Sequence, residues 1–221
     1  MLDIVKQEKR DVFPPLGLLV GGPKVGKSTF CANIPNALVV DLEGSGYDHI
    51  GAESVVRPST LDEMKEVLNF YFDPEQNKQY EVLCIDHMRE MTNFYADSIS
   101  KVNGVKNIDQ IGYGKGSNEL RHDMYSVIKG IRKKVSQKRK VIFVAHSTDR
   151  NGQIRLDVDG KLDTMLTGMV DYIGQLYRNG PKNSINFTSS SGTESGCRNQ
   201  HLSQYNGDAD WAKLQEVAVG T

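Results

Sequence analysis

The chain has 221 residues, with 27 Lys and Arg against 28 Asp and Glu and a formal net charge of −1. That length buries a sizeable core as one α/β domain. So balanced a charge supplies no overall field toward nucleic acid or an acidic membrane, and any such binding has to come from local patches. No run of about 18 apolar residues occurs and the charged N-terminal stretch has no apolar leader, so neither a spanning helix nor a signal peptide is expected. The three cysteines, Cys31, Cys84 and Cys197, lie far apart without zinc spacing. They read as reduced thiols of a cytoplasmic protein.

Residues 1–15 read as a short arm ending in Pro14 and Pro15, with Phe13 packed either on the sheet edge or on a neighbouring subunit. An uncharged, mostly apolar run from Leu16 follows, as in a strand buried on both faces. It breaks into Gly21, Gly22, Pro23, Lys24, Val25, Gly26, Lys27 and Ser28, which fits G-x-x-x-x-G-K-[ST] at every fixed position. Such a loop points successive backbone N–H groups at one spot and forms an anion nest, with a helix starting at about Lys27 behind it. Lys27 reaches the β- and γ-phosphates of a bound nucleotide and the Ser28 hydroxyl ligates Mg²⁺. Together with Thr29 this loop is the candidate cradle for a nucleoside triphosphate, here ATP. Lys24 either helps neutralise phosphate or faces water.

Pro35 and Asn36 stop the first helix, and residues 37–40 form a second buried strand running into Asp41, Leu42, Glu43 and Gly44. Val55 and Val56 form a short edge strand. Thr60 and Glu63 have capping-box spacing, and Leu61, Met64, Val67, Leu68 and Tyr71 carry a helix to about Phe72. Residues 80–86 are the third strand, ending on Asp86, and a helix runs from His87 to about Lys101. Residues 102–117 hold four glycines without periodicity and read as a mobile loop. Leu120, Met124, Val127, Ile128, Ile131 and Val135 mark a long amphipathic helix.

Residues 141–145 form a fourth buried strand with His146 at its carboxyl end. Residues 147–163 are polar, with a hairpin expected around Asn151 and Gly152. Late strands at 172–177 and 185–188 meet at Asn179 and Gly180. After Ser189 the composition turns polar, and a loosely ordered tail is expected in which Trp211 needs a local partner. The implied division is an arm (1–15), an ATPase core (16–190) and a polar tail (191–221).

Alternation of strands and helices argues an α/β fold: a mostly parallel twisted sheet with helices on both faces. Ligands in such sheets sit outside the carboxyl ends of the strands. Residues 21–28, Glu43, Asp86 and His146 each follow an apolar strand on that side, so four separate stretches are expected on one rim. Asp86 suits the carboxylate that holds Mg²⁺. Glu43 suits the group that orients an attacking water and takes its proton. His146 is a candidate γ-phosphate sensor. Arg150 with Arg155, and Lys161 with Arg178, are candidate charges supplied to a neighbour's nucleotide.

The stretches GGPKVGKST, LVVDLEG, YEVLCIDHM and RKVIFVAHSTDR resemble those of RecA-type recombinase cores, more closely the small phage-encoded RecA-like ATPases associated with single-strand annealing. The resemblance covers residues 16 to about 178. It implies that Glu43 is the catalytic glutamate, Asp86 the Walker B aspartate, and His146 the occupant of a sensor position that usually holds Gln. It also implies loops at about 102–117 and 147–163 facing single-stranded DNA, a ring or filament of identical subunits with nucleotide at the interfaces, and a single-strand-binding protein as partner.

The first of those loops offers Lys101, Lys106, Lys115 and Arg121 with Tyr113, set against Asp109, which suits strand binding. In the second, Asp149, Asp157, Asp159 and Asp163 outnumber Arg150, Arg155 and Lys161. The run from Lys129 to Lys140 is the densest basic patch. The resulting expectation is a Mg²⁺-dependent ATPase acting on single-stranded DNA in phage recombination, in the host cytoplasm. The alternatives are an ATP-switched binding module with little turnover and a nucleotide or metabolite kinase.

Overall fold

A computed structural model of the protein describes residues 11–44, 46–150, 153–158, 160–189 and 195–220. Residues 1–10 of the arm, the Asn151–Gly152 turn and residues 190–194 lie outside the described residues. The first half holds β1 (Leu16–Gly21), α1 (Lys27–Ala32), β2 (Ala37–Asp41), β3 (Val55–Val56), α2 (Leu61–Phe72), β4 (Val82–Asp86) and α3 (Met88–Val102). The second holds α4 (Lys115–Lys134), β5 (Lys140–Arg150), β6 (Gln153–Leu156), α5 (Gly160–Met169), β7 (Tyr172–Asn179), β8 (Lys182–Asn186), β9 (Gly196–Cys197), β10 (Asn206–Asp208) and α6 (Trp211–Val219).

Among the described residues these strands form one ten-stranded sheet whose main path is β10-β8-β7-β1-β5-β4-β2-β3. The run from β7 to β3 is parallel throughout. One strand, β5, separates β1 from β4, so the two phosphate-side motifs flank it. This is the mostly parallel sheet with helices on both faces expected above.

Period-two burial divides the sheet into two layers. Leu16, Leu18, Leu83, Ile85, Val141 and Phe143 face α2, α3, α4 and α5, whereas Leu19, Val82, Cys84, Ile142 and Val144 face α1 and α6. Because both faces are covered, the strands read as continuous apolar runs rather than as alternations.

Four segments differ from the sequence expectation. Residues 102–117 are not one long loop: 3-10 turns occupy Ile108–Gln110 and Gly112–Gly114, and α4 starts at Lys115. Gly116 is required there, since a Cβ on it would stand 2.3 Å from the Ile108 carbonyl oxygen. β5 runs past His146 to Arg150, where it leaves the parallel register and pairs antiparallel with β6. That pairing is the expected hairpin, its turn outside the described residues. α5 starts inside the stretch 147–163 that reads as polar and runs on to Met169, and Leu162, Leu166 and Val170 repeat at intervals of four and are buried.

The segment that reads as a polar tail adds β9 to β7, β10 to β8, and α6 to the second layer. Trp211 finds its partners in Phe13 and Phe30, with ring centroids 4.7 and 6.2 Å away. Phe13 also packs on Tyr172 of β7 at 5.2 Å, within its own chain and on a face of the sheet rather than at its edge. The β7–β8 connection is the pair Gly180 and Pro181, with Gly180 at φ +63°, one residue later than expected.

Candidate functional site

β1 ends at Gly21, and the chain turns through residues 22–26 into α1. Gly26 has φ +94° and no room for a side chain: a Cβ would lie 2.2 Å from the Asn183 amide nitrogen. Gly21 is as tightly confined, its Cβ position 2.6 Å from the Leu176 carbonyl oxygen. Lys24, at φ +63°, adopts the left-handed conformation that closes the curl. Val25 turns inward against the second apolar layer. The loop is therefore pressed against the β7–β8 hairpin on one side and anchored in the core on the other.

Lys27 is only 5% exposed. Its Nζ donates to the carbonyls of Gly21 (2.9 Å) and Gly22 (2.8 Å) and to His146 Nδ1 (3.1 Å). Burial pulls the pKa of this ammonium down, while Asp86 and then Glu43 act in the opposite direction. His146 is likewise pushed below the usual imidazole value, first by burial and then by Lys27 and His87, which favours the neutral ring. A lysine only donates, so His146 Nδ1 accepts in this contact.

Ser28 Oγ donates to Asp86 Oδ2 at 2.8 Å. Glu43 Oε1 lies 3.3 Å from His87 Nε2 and 3.7 Å from His146 Nε2. Its neighbour Asp41 does not share the site. Asp41 is buried and accepts from the Gly44 N–H at 3.0 Å and from Arg57 Nε at 3.0 Å, so it buttresses the turn that presents Glu43.

These groups surround a pocket of about 410 Å³ lined by Pro23, Lys24, Gly26, Lys27, Ser28, Thr29, Glu43, Asp86 and His146, with Ile50, Arg178 and Asn183 completing the wall. Of the candidate cradle, Gly21 and Gly22 contribute their carbonyls to Lys27 from behind. The residues fit the expected ligands. A glycine-confined loop with a buried lysine suits phosphate, and the Ser28 and Asp86 oxygens are the hard donors that Mg²⁺ takes. Among the described residues, no helix is long and apolar enough to cross a membrane.

Three residues at the site escaped the sequence reading. His87 reads there only as a helix start, yet it is 4% exposed with its ring edge-on to His146, centroids 4.7 Å apart. Tyr47 donates its hydroxyl to Asp86 Oδ2 at 2.8 Å, and Asn183 abuts Gly26. Histidine directly after a strand-ending aspartate was the available signal; Tyr47 and Asn183 carried none. Arg178, a candidate charge for a neighbour's nucleotide, lines the pocket of its own chain and makes no ion pair among the described residues. Arg155 stands 4.0 Å from Asp163; the side chain of Arg150 lies outside the described residues.

The basic run is thinner than it reads. Arg132 bonds Asp171 and the Met169 carbonyl, Arg139 bonds the carbonyls of Tyr80 and Asn77, and Lys140 is buried against the Gln137 carbonyl. Lys134 sits over the Phe72 ring at 5.5 Å and Lys129 over Tyr125 at 5.4 Å. By contrast, Tyr113 is fully exposed on its 3-10 turn, and Lys101, Lys106 and Lys115 are exposed in the same segment.

No curated protein matches the sequence. Among solved structures the fold is similar to the crystal structure of the RadB recombinase. Identity is 13%, 79% of this chain and 81% of that chain are covered, and the TM-score is 0.45. The family described as AAA domain, AAA_24, matches residues 14–199. With most of its length inside that match, and with the phosphate loop and strand order that support it, the chain belongs to this AAA domain family of nucleotide-binding proteins.

Proposed function

We propose that the chain is a Mg²⁺-dependent ATPase that acts on single-stranded DNA during phage recombination, as an annealing or accessory protein. One observation carries the reading: Lys27 and Ser28, Glu43, Asp86 and His146 come from the carboxyl sides of four parallel strand segments and line one pocket. The loop amides and Lys27 hold the β- and γ-phosphates, and Ser28 and Asp86 hold the metal, which supplies charge neutralisation when bound. Glu43, 47% exposed in its side chain, faces the pocket where it orients a water and takes its proton. Lys27 turns from His146 to the phosphate, and the freed histidine reports that change along β5 into the β5–β6 hairpin.

Support for DNA comes from Tyr113, an exposed aromatic among exposed lysines, the combination that strand stacking uses. In the second segment Arg89 pairs with Asp157 and Arg155 stands beside Asp163, which reduces its acidic excess. Assembly into a ring or filament and binding of a single-strand-binding protein belong to the same proposal. The contact of Glu43 with two histidines favours a second reading, an ATP-switched module with slow turnover.

The deciding measurement is ATP turnover with and without single-stranded DNA across a salt series. Stimulation by DNA that fades steeply with salt supports the proposal. Slow turnover indifferent to DNA selects the switch. Phosphate transfer to a nucleoside monophosphate would replace both with a kinase.

A further inference from the structure

Glu43, His87 and His146 form a cluster distinct from the Ser28–Asp86 pair. One carboxylate oxygen and two ring nitrogens all lie within 4.8 Å of one another. Glu43 Oε1 is 3.3 Å from His87 Nε2 and 3.7 Å from His146 Nε2. A tetrahedral ion with bonds of about 2.0–2.1 Å holds its ligand atoms about 3.3–3.4 Å apart. The two carboxylate–imidazole separations thus stand close to those of a formed site.

The donor set discriminates among cations. Mg²⁺ and Ca²⁺ take oxygen, whereas two imidazoles with one carboxylate suit a borderline ion. Three protein ligands with a fourth position open is the pattern of zinc sites that bind water or substrate. Here Glu43 and His146 line the phosphate pocket, so the open position faces it. Burial of His87 adds a second observation. Its Nε2 is aimed at Glu43, and among the described residues its Nδ1 has no hydrogen-bond partner, so no contact there holds the ring against ligation through Nε2.

We propose that Glu43, His87 and His146 bind a transition-metal ion of the zinc class, and that the occupied site stops hydrolysis by taking the Glu43 carboxylate. The second half rests on the reading of Glu43 as general base. Ligation uses the Nε2 lone pair of each ring. On each ring the Nε2 proton moves to Nδ1, and at His146 the Lys27 amine, which now donates to Nδ1, leaves it. Metal and the Lys27–His146 contact therefore exclude one another.

The test is a Co²⁺ titration of the full chain followed by visible absorption, with Zn²⁺ competition. A saturable one-to-one tetrahedral band, displaced by Zn²⁺, is expected. His146→Ala and Glu43→Gln should weaken Co²⁺ binding at least about tenfold. His146 is half-buried and Glu43 exposed, so these variants stand in if His87→Asn fails to fold. Absence of a saturable band, or the same band in all variants, overturns the site. In parallel, Zn²⁺ against excess Mg²⁺ should stop ATP turnover while a fluorescent ATP analogue still binds. A bound Co²⁺ band with turnover untouched by Zn²⁺ overturns the inhibitory half. A wild-type chain that never turns over ATP in Mg²⁺ defeats the ATPase reading instead, and the band still decides the site.

Discussion

The Tyr47 hydroxyl and the Ser28 hydroxyl donate to the same oxygen, Asp86 Oδ2, each at 2.8 Å. Tyr47 belongs to the segment after β2 that also presents Glu43, so the two carboxylates of the site are tied through one phenol. Burial pushes the Tyr47 pKa far up, and the group remains a donor at any ordinary pH.

Removing that hydroxyl keeps the ring and loses the tie. For Tyr47→Phe, the Mg²⁺ concentration giving half-maximal ATP hydrolysis should rise several-fold. The folding free energy should fall by about 1–3 kcal/mol, the usual cost of leaving a buried acceptor short of a donor. Mg²⁺ titration of turnover alongside a denaturant melt separates the two effects. An unchanged Mg²⁺ requirement would show that Asp86 needs no help from Tyr47.

Lys27→Ala and Glu43→Gln should divide binding from chemistry. The lysine makes three short polar contacts at the base of the pocket, and its loss removes the one buried cation of the cradle. Binding of a fluorescent ATP analogue should weaken at least about tenfold for each charged hydrogen bond lost to phosphate, taking 1.5–3 kcal/mol per bond. Glu43→Gln should bind normally while turnover falls by about 10²–10⁴. Normal hydrolysis in the glutamine variant would sink the general-base role.

Arg178 stands over its own pocket, which makes cis and trans action distinguishable. Arg178→Ala should lower ATP turnover, and mixing it with Lys27→Ala subunits should restore nothing, because neither chain then holds a complete site. Recovery of activity in the mixture would place the arginine at a neighbour's nucleotide instead.

The thiols should be silent in the native protein. Cys31 and Cys84 are fully buried, and burial pushes the Cys197 pKa up to about 11. A thiolate-specific reagent should therefore label native protein slowly at neutral pH, with the rate still climbing toward pH 11, whereas unfolded protein reacts at all three. A fast native thiol at pH 7 would contradict the packing of β9 against β7.

Much of the fold is legible in the chain because its signals are local. Thr60 caps α2 as its spacing implies, accepting from the Glu63 N–H at 3.2 Å, although Glu63 reaches back to the Ser59 N–H rather than to that of Thr60. α5 was obscured because its acidic neighbours mask the Leu162–Leu166–Val170 stripe. The last strands were obscured because Gly196, Cys197 and Asn206 to Asp208 have little strand propensity of their own and are held by pairing with β7 and β8.

The amino-acid order alone determined which strands are buried, where the phosphate loop lies and which acids and histidine stand on the carboxyl side of the central strands. Apolar runs and glycine spacing are written into a few consecutive residues. Tertiary structure alone decided that Tyr47 grips Asp86, that His87 meets Glu43 and His146, and that Arg178 lines the pocket of its own chain. The contacts among Tyr47, Asp86, Glu43, His87 and His146 join residues 39, 44, 59 and 103 positions apart, and the parallel register of neighbouring strands brings them together, whereas the β7–β8 hairpin carries Arg178 to the pocket edge.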